Sequence, residues 1–494
     1  MTYAASIAKS STTAIAATPD GGESELKFLY GWLGSLSLHD RRLIGAAKQA
    51  AEWLMADASL RRLARTAPEE LDAAFAARGI AIGPDAVRPL WDPDGATASD
   101  HAHPAMAGYD RWQREMAAHR AAIRRLGGTA TPAFGAWRRR MVARAQGSLA
   151  PQVEREIVHA AAAFELASGC SVGCGFCALG AGRLSAVASY DGPTARLWGG
   201  MLAALDHAVG PAAATAFAYW ATDPFDTPDY PAFVGAFADR FGHLPPTTTA
   251  RGTDDVDLTR RLIGQLRERG GGPFRISILT TKQLRRLHAA IPLEDLPFVA
   301  TAIQTRGAAT YRIVAGRMIE RGAALADDAP GGEGTIACIT GFLVNLPERR
   351  VRLVSPCVAD RRRPNGYRIH DERSFGDAAD FADAVTGMIA AAMPMTLAGG
   401  APAQLRPGLV PDAADALLLR DHHAHYRLAD TPLMRALVPL LVRGGTCAGV
   451  EGVLVAGGHF PFAVKTTLQE LFDHGLLADE LDVRDGQPAN PEIN

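Results

Sequence analysis

Between residues 157 and 304, strand-length apolar runs alternate with amphipathic stretches of helix length, a beat that all-helical and all-β folds do not produce. Val158 to Ala167 is nearly continuously apolar, as in a strand buried on both faces. Leu197, Met201, Leu205 and Val209 then repeat at helical spacing, Trp198 and Leu202 widen the stripe, and Gly210 stands where a C-cap belongs. The spacing predicts a second strand over Ala214–Trp220, a helix over 229–241, a strand at Thr247–Thr249 and a helix over 255–269. A strand at Phe274–Leu279, a helix over 281–289 and a strand over 297–304 complete the series. Such alternation implies a parallel sheet with right-handed crossovers. About six units fit between residues 155 and 390, so the expected fold is α/β, a partial (β/α)6 barrel and not a closed eightfold one.

The flanks read differently. Residues 1–24 hold little large apolar content and are expected to be a disordered tail. Residues 25–150 are expected to form a helical accessory domain. Leu43, Ala47, Ala51 and Leu54 share a face, Asp57 with Ser59 starts a helix, and Ala105–Arg125 resumes the pattern beyond Pro84 and Pro89. Residues 151–395 take the barrel and a catalytic extension, in which Ile336–Ile339 and Val351–Val354 read as a hairpin joined near Asn345–Arg349. Pro, Gly and Ala mark 396–429 as a linker. Residues 430–494 run helix, short helix, helix, with Thr446 as a cap and Val464, Leu468 and Leu471-Phe472 as an apolar face. That is winged-helix grammar.

Composition narrows the function. Apolar residues make up 48% of the 494, enough for a large core, and the net charge of −2 implies no global attraction to nucleic acid. No apolar stretch reaches the ~18 residues that span a bilayer. Six cysteines and no signal peptide lead us to expect a cytoplasmic protein without a disulfide framework.

Three of those cysteines, Cys170, Cys174 and Cys177, fall in the run Gly-Cys-Ser-Val-Gly-Cys-Gly-Phe-Cys. Cys-x3-Cys-x2-Cys supplies three thiolates from one loop, enough for three irons of a [4Fe–4S] cluster whose fourth iron stays open. Gly173, Gly175 and Gly180 let the backbone curl closely around it. A structural zinc is the competing reading, but it needs a fourth ligand, and the nearest candidates, His159 and His207, are distant in the chain.

This cysteine spacing is the signature of radical S-adenosylmethionine (SAM) enzymes. Further runs make the chain resemble one subgroup, the epimerases that mature ribosomally made peptides of the proteusin type. They are Phe164-Glu165-Leu166, Tyr219-Trp220-Ala221-Thr222-Asp223-Pro224, Pro228-Asp229-Tyr230, Thr247-Thr248-Thr249-Ala250, Gly341-Phe342-Leu343-Val344-Asn345, Leu353-Val354-Ser355-Pro356-Cys357 and Pro364-Asn365-Gly366-Tyr367. The resemblance implies that a 5′-deoxyadenosyl radical removes a Cα hydrogen from an L-residue of a precursor peptide. A hydrogen donor on the opposite face then leaves a D-residue. It also implies that the donor is the cysteine of the Ser-Pro-Cys run, Cys357. Cys338 is the reserve, and from sequence alone Cys338, Cys357 and Cys447 all read equally as small buried residues.

SAM contacts are expected from Phe176, Tyr219, Thr222, Asp223, Thr249, Arg251 and Ser277. The superfamily often has Gly-Gly-Glu where this chain has Ala221-Thr222-Asp223, and an Asp-Pro turn is the plainer reading there. Phe176 reads as an adenine contact or a core residue, and Arg251 as a carboxylate partner or a surface ion pair. The tract Asp421-His422-His423-Ala424-His425 reads as a solvated linker in preference to a metal site. Arg361-Arg362-Arg363 reads as a charged turn or a site for an acidic peptide. Expected partners are the precursor's leader and core and an electron donor such as flavodoxin or ferredoxin, with no nucleic acid and no membrane. Lys465 is the sole Lys or Arg between 444 and 483, which fits a peptide-recognition module or a structural cap better than a DNA reader. The alternatives are a radical SAM cross-linker, for which the remaining cysteines are few, and a zinc-stabilised peptide- or DNA-binding regulator.

Overall fold

A computed structural model describes residues 8–9, 28–125, 130–322 and 331–479. The expected tail, 1–24, lies outside these apart from Ala8–Lys9, which pair with Arg427 and Tyr426. The protein is mixed α/β.

The N-terminal part is helical, with α1 (Leu38–Ala56), α2 (Pro104–Arg125) and α3 (Pro132–Ser148) as its long members. Ser37 caps α1 by accepting from the Asp40 amide, and Asp57 accepts from the Ser59 and Leu60 amides to start the next helix, Ala58–Thr66. Most of this part's buried apolar residues join the core of the sheet region. Ala47, Trp53 and Phe134 belong to one apolar cluster with Phe164, Trp198, Ile276 and Phe342. A buried polar group ties it to the sheet: Glu52 pairs with Lys48, accepts from Thr301 Oγ1 at 2.6 Å and meets His288 Nε2 at 2.7 Å.

The strand–helix beat is present, with one exception. It runs β1 (Ala160–Glu165), α4 (Gly192–Val209), α5 (Tyr230–Phe241), β2 (Thr247–Thr249), α6 (Val256–Arg269), β3 (Phe274–Ile278), α7 (Thr281–Ala290) and β4 (Val299–Ile303). Strands β2, β3 and β4 are parallel neighbours, with Thr249 opposite Ile276 and Ile278 opposite Ile303. The exception is Ala214–Trp220. Pro211 and the following alanines form a 3-10 turn over Gly210–Thr215, since proline suits a first helical turn and alanine is a poor strand former. The bonds of this stretch to β1 are few: the Phe217 carbonyl accepts from the Phe164 amide at 2.9 Å, the Phe217 amide donates to the Ala162 carbonyl at 3.3 Å, and Thr215 Oγ1 accepts from the Ala161 amide at 3.0 Å.

Beyond β4 come β5 (Ile339–Asn345), β6 (Arg350–Pro356) and β7 (Tyr367–Ser374), followed by α8 (Ala378–Ala392). The sheet order is β7–β6–β5–β1; β5 and β1 are parallel, and the other pairs antiparallel. The hairpin turn falls where expected, but its first strand starts at Ile339 and not at Ile336. Gly341 explains why the pairing with β1 is irregular there: a Cβ on it would stand 1.9 Å from the Ala161 carbonyl oxygen, so only glycine permits the approach. The described strands fall into several small sheets.

Residues 396–429 are packed, which corrects the linker expectation. Ala403 and Leu405 are buried among Leu437, Leu441, Leu471 and Phe472, and short strands form at Val410–Pro411, Leu418–Arg420 and His425–Arg427. The apolar content that makes this possible, Leu405, Leu409, Leu417 and Leu419, is spaced too irregularly for either period to show. Then follow α9 (Pro432–Arg443), α10 (Cys447–Ala456) and α11 (Pro461–Asp473), with Thr446 Oγ1 accepting from the Gly449 amide at 3.1 Å. The rest of the expected module, from residue 480, lies outside the described residues.

Candidate functional site

The cysteine loop leaves the C-terminal end of β1 and is held by its backbone. The short helix Arg317–Glu320 lies against it. The Arg317 amide donates to the Cys177 carbonyl at 3.0 Å, and the Arg317 guanidinium reaches the Cys174 carbonyl at 2.5 Å and also that of Ala181. Gly180, at φ +61°, lets the loop meet the turn at Pro364–Gly366; a Cβ there would lie 2.7 Å from Asn365 Oδ1. On the other flank Asp226, fully enclosed, accepts from the Ser171 amide at 2.9 Å and pairs with Arg251 at 2.9 Å. Neither Arg317 nor Asp226 was found from sequence. Asp226 had a faint signal, standing two residues beyond the Asp223-Pro224 turn.

The three thiols are partly exposed. Burial, with Asp223 and Asp226 nearby, pushes Cys170 up to about 11, and burial also raises Cys174. Protons are therefore retained unless a cation replaces them, the usual coupling of metal binding to thiol ionisation. Among the described residues no three Cys, His, Asp or Glu side chains converge on a point that would hold one ion. A tetrahedral zinc would need a fourth ligand beside these thiols. A [4Fe–4S] cluster would take each thiolate on a different iron. A Cβ on exposed Gly173 would meet nothing within 4 Å. Three thiols from one loop are donors of the kind such a cluster uses.

The residues expected to touch SAM divide. Phe176 is 42% exposed, so it is no core residue. Thr222 is buried with its hydroxyl unpartnered. Asp223 caps the Asp-Pro turn, its carboxylate accepting from Thr249 Oγ1 at 2.6 Å, the Ala250 amide at 2.7 Å and the Phe225 amide at 2.9 Å. Thr249 is thereby engaged, and Arg251 is engaged with Asp226 and with the Phe225 carbonyl at 3.0 Å. Tyr219 bonds Thr248 Oγ1 at 2.8 Å and accepts from Arg275 at 3.1 Å. Ser277 is half-buried on β3, on the same face as Arg275 by the two-residue period.

Glu165 is the last residue of β1 and belongs to the Phe164-Glu165-Leu166 run. It is buried, and burial pushes its carboxyl up to about 7 although the Ala221 amide and Asn345 Nδ2 donate to it, each at 3.0 Å. It joins two of the motif runs and supports the turn ahead of Thr222.

Cys357 lines a cleft of about 1080 Å³ between β6–β7, α3 and the C-terminal part. Cys357 follows the last residue of β6, Pro356. Because β6 runs antiparallel to β5, with Val354 opposite Gly341, its end lies level with the start of β1 and β5. The link to the loop comes instead from the following turn: the Cys357 amide donates to the Gly366 carbonyl at 3.0 Å, and Pro364 accepts from Gly316 beside Cys177. Burial raises the Cys357 thiol, against the pull of Arg363 and Arg368. Cys338 sits just before β5 with its thiol 3.8 Å from the Glu156 carbonyl, and Cys447 is buried in the C-terminal core. The histidine tract is a hairpin turn, not a linker: Asp421 is buried against Arg406, and the Asp421 amide donates to the Ala424 carbonyl at 2.8 Å. No described helix is long and apolar enough to cross a membrane.

No family profile matches the chain, and no solved structure matches it. It is 33% identical over 463 residues to uncharacterized protein y4wI of Sinorhizobium fredii (strain NBRC 101917 / NGR234), covering 90% of this chain and 89% of that one.

Proposed function

We propose, from its cysteine loop and motif runs, that the chain, which belongs to the same family as the Sinorhizobium fredii protein, is a radical SAM peptide epimerase built on a partial (β/α)6 barrel. The observation that carries the reading is the pairing of two sulfur sites through one turn. Pro364–Gly366 touches the Cys-x3-Cys-x2-Cys loop on one side and the Cys357 backbone on the other. Cys357 in turn lines a cleft of about 1080 Å³.

Cys170, Cys174 and Cys177 would hold a [4Fe–4S] cluster, which with bound SAM supplies a carbon radical able to remove a hydrogen atom. Thr222 offers an unpartnered buried oxygen next to the loop, and exposed Phe176 a face for an aromatic ring. Asp226 and Arg317 fix the loop from either side. The Cys357 thiol, kept protonated by its burial, is a hydrogen-atom donor. Its S–H bond breaks as a C–H bond forms on the peptide Cα, and the sulfur is left as a thiyl radical. One electron from a ferredoxin- or flavodoxin-class donor and one proton restore the thiol. The C-terminal part, which forms one wall of the cleft, would hold the leader of the precursor.

The test is anaerobic reconstitution with iron and sulfide, then incubation with SAM, reductant and the precursor in D2O. The expected product has an inverted residue carrying one deuterium at Cα and no other change of mass. Inversion without label would falsify return from an exchangeable thiol, and a colourless protein without iron would remove the radical assignment.

A further inference from the structure

The cleft beside Cys357 carries a charge that the proposed function does not require. Arg144, Arg361, Arg362, Arg363, Arg368 and Arg406 line it, against the carboxylates Glu333, Asp360 and Asp479. Part of this charge is neutralised locally: Arg363 pairs with Asp360 at 2.8 Å, Arg144 with Asp479, and Arg406 with the buried Asp421. Arg361 and Arg368 have no carboxylate partner among the described residues. Arg361 is exposed on the turn, and Arg368 reaches toward the Cys357 thiol from β7. A chain whose net charge is −2 therefore concentrates positive charge in this cleft, next to its candidate hydrogen donor. Low-dielectric walls focus such a field. Guanidinium groups grip carboxylates in paired hydrogen bonds better than any other side chain does.

We propose that this cleft selects an acidic peptide, one that places Asp or Glu beside the residue presented to Cys357. The inference rests on the peptide reading of the same site and names its substrate class. Two elements cooperate in it. The turn Asp360–Arg363 is locked by its own carboxylate, since Asp360 Oδ1 accepts from the Arg362 amide at 2.8 Å and the Arg363 amide at 2.6 Å. The side chain of Arg361 consequently projects from a fixed backbone, which lowers the entropy lost when it binds. The C-terminal part supplies the facing wall through Arg406, Pro407, Gly408 and His422. That wall gives its tight packing against α3 a purpose beyond stability: Arg144 ties α3 to the Gly475 and Leu477 carbonyls.

The experiment is equilibrium binding to the full-length reconstituted protein, followed by fluorescence anisotropy without SAM or reductant. The probes are labelled short peptides of alternating Glu and Gly, their Lys-Gly and Ser-Gly counterparts, and a single-stranded oligonucleotide. The Glu peptide is expected to bind most tightly and to weaken as salt is raised. R361E/R362E is expected to lose about tenfold or more in affinity, while R286E, outside the cleft, loses none. Iron content and melting temperature verify that each variant is folded. Equal binding of all three peptides, an unchanged affinity in R361E/R362E, or tighter binding of the oligonucleotide overturns the proposal. Selective binding of the Glu peptide by a protein that takes up no iron leaves the cleft standing and defeats the radical reading. A protein with cluster and SAM cleavage but no preference for Glu does the reverse.

Discussion

All three cysteines of the loop come from the run 170–177, whereas the cleft around Cys357 is assembled from segments scattered between Met141 and Asp479. The loop is stiffened by contacts to its backbone, from Arg317, Asp226 and the 364–366 turn, and its thiols stay partly exposed. The cleft is walled by side chains of parts that carry separate apolar cores. A local motif can be recognised from spacing because its geometry hardly depends on the rest of the chain. A composite wall has no such spacing. Its charge and shape exist only after two cores have packed.

The largest expected effect separates the two sites outright. Cys174→Ala should abolish iron binding and SAM cleavage together, measured by iron analysis and by 5′-deoxyadenosine release. Cys357→Ala should keep both and lose D-residue formation by at least about a thousandfold, the scale on which removing a reacting group acts. Retained epimerisation in this variant would move the donor elsewhere, with Cys338 the next to test.

Next in size are stability effects on each side. Glu52→Ala leaves Lys48 and His288 buried without their carboxylate and should cost about 3–5 kcal/mol in urea unfolding. The carboxyl of Glu52 is held below its usual range because Lys48 and His288 outweigh the burial that opposes its ionisation. Leu441→Ala, in the C-terminal core, should cost about 2–5 kcal/mol and disturb the cleft while leaving iron content intact. Iron loss in Leu441→Ala would show that the loop and the cleft are not separable as described.

A subtler effect is pH dependence from Glu165. Its folded-state pKa of about 7 lies above the unfolded value of about 4.3. The folded state therefore binds more protons between those values, and this contribution to stability is lost as pH rises through 7. Glu165→Gln should flatten the decline between pH 5 and pH 8 by on the order of 2–3 kcal/mol. Identical slopes in the two proteins would contradict the assigned shift.

Much of this was legible in the residues. Apolar periodicity placed Thr247–Thr249 and Phe274–Ile278 almost to the residue, and Asp57 and Thr446 as caps, because each depends on neighbours within one turn. Ala214–Trp220 was misread because an alanine run is apolar without being strand-forming, and Pro211 favoured a turn. Residues 396–429 looked like a linker because their few leucines are irregularly spaced and find partners only in α9 to α11. Arg317 and Arg275 carry no readable signal, since their partners lie far along the chain, and Asp226 carries only its place after the Asp-Pro turn.

The sequence by itself determined the trio of thiols, the strand–helix rhythm and the small net charge, all properties set by order and composition. Only the tertiary structure decided that the 364–366 turn joins the Cys357 backbone to the cysteine loop. It also decided that arginines from distant segments share one wall. The physical reason is that hydrogen-bond pattern and side-chain period act over a few residues, while strand direction, burial of charge and the shape of a cavity are set by which surfaces pack together.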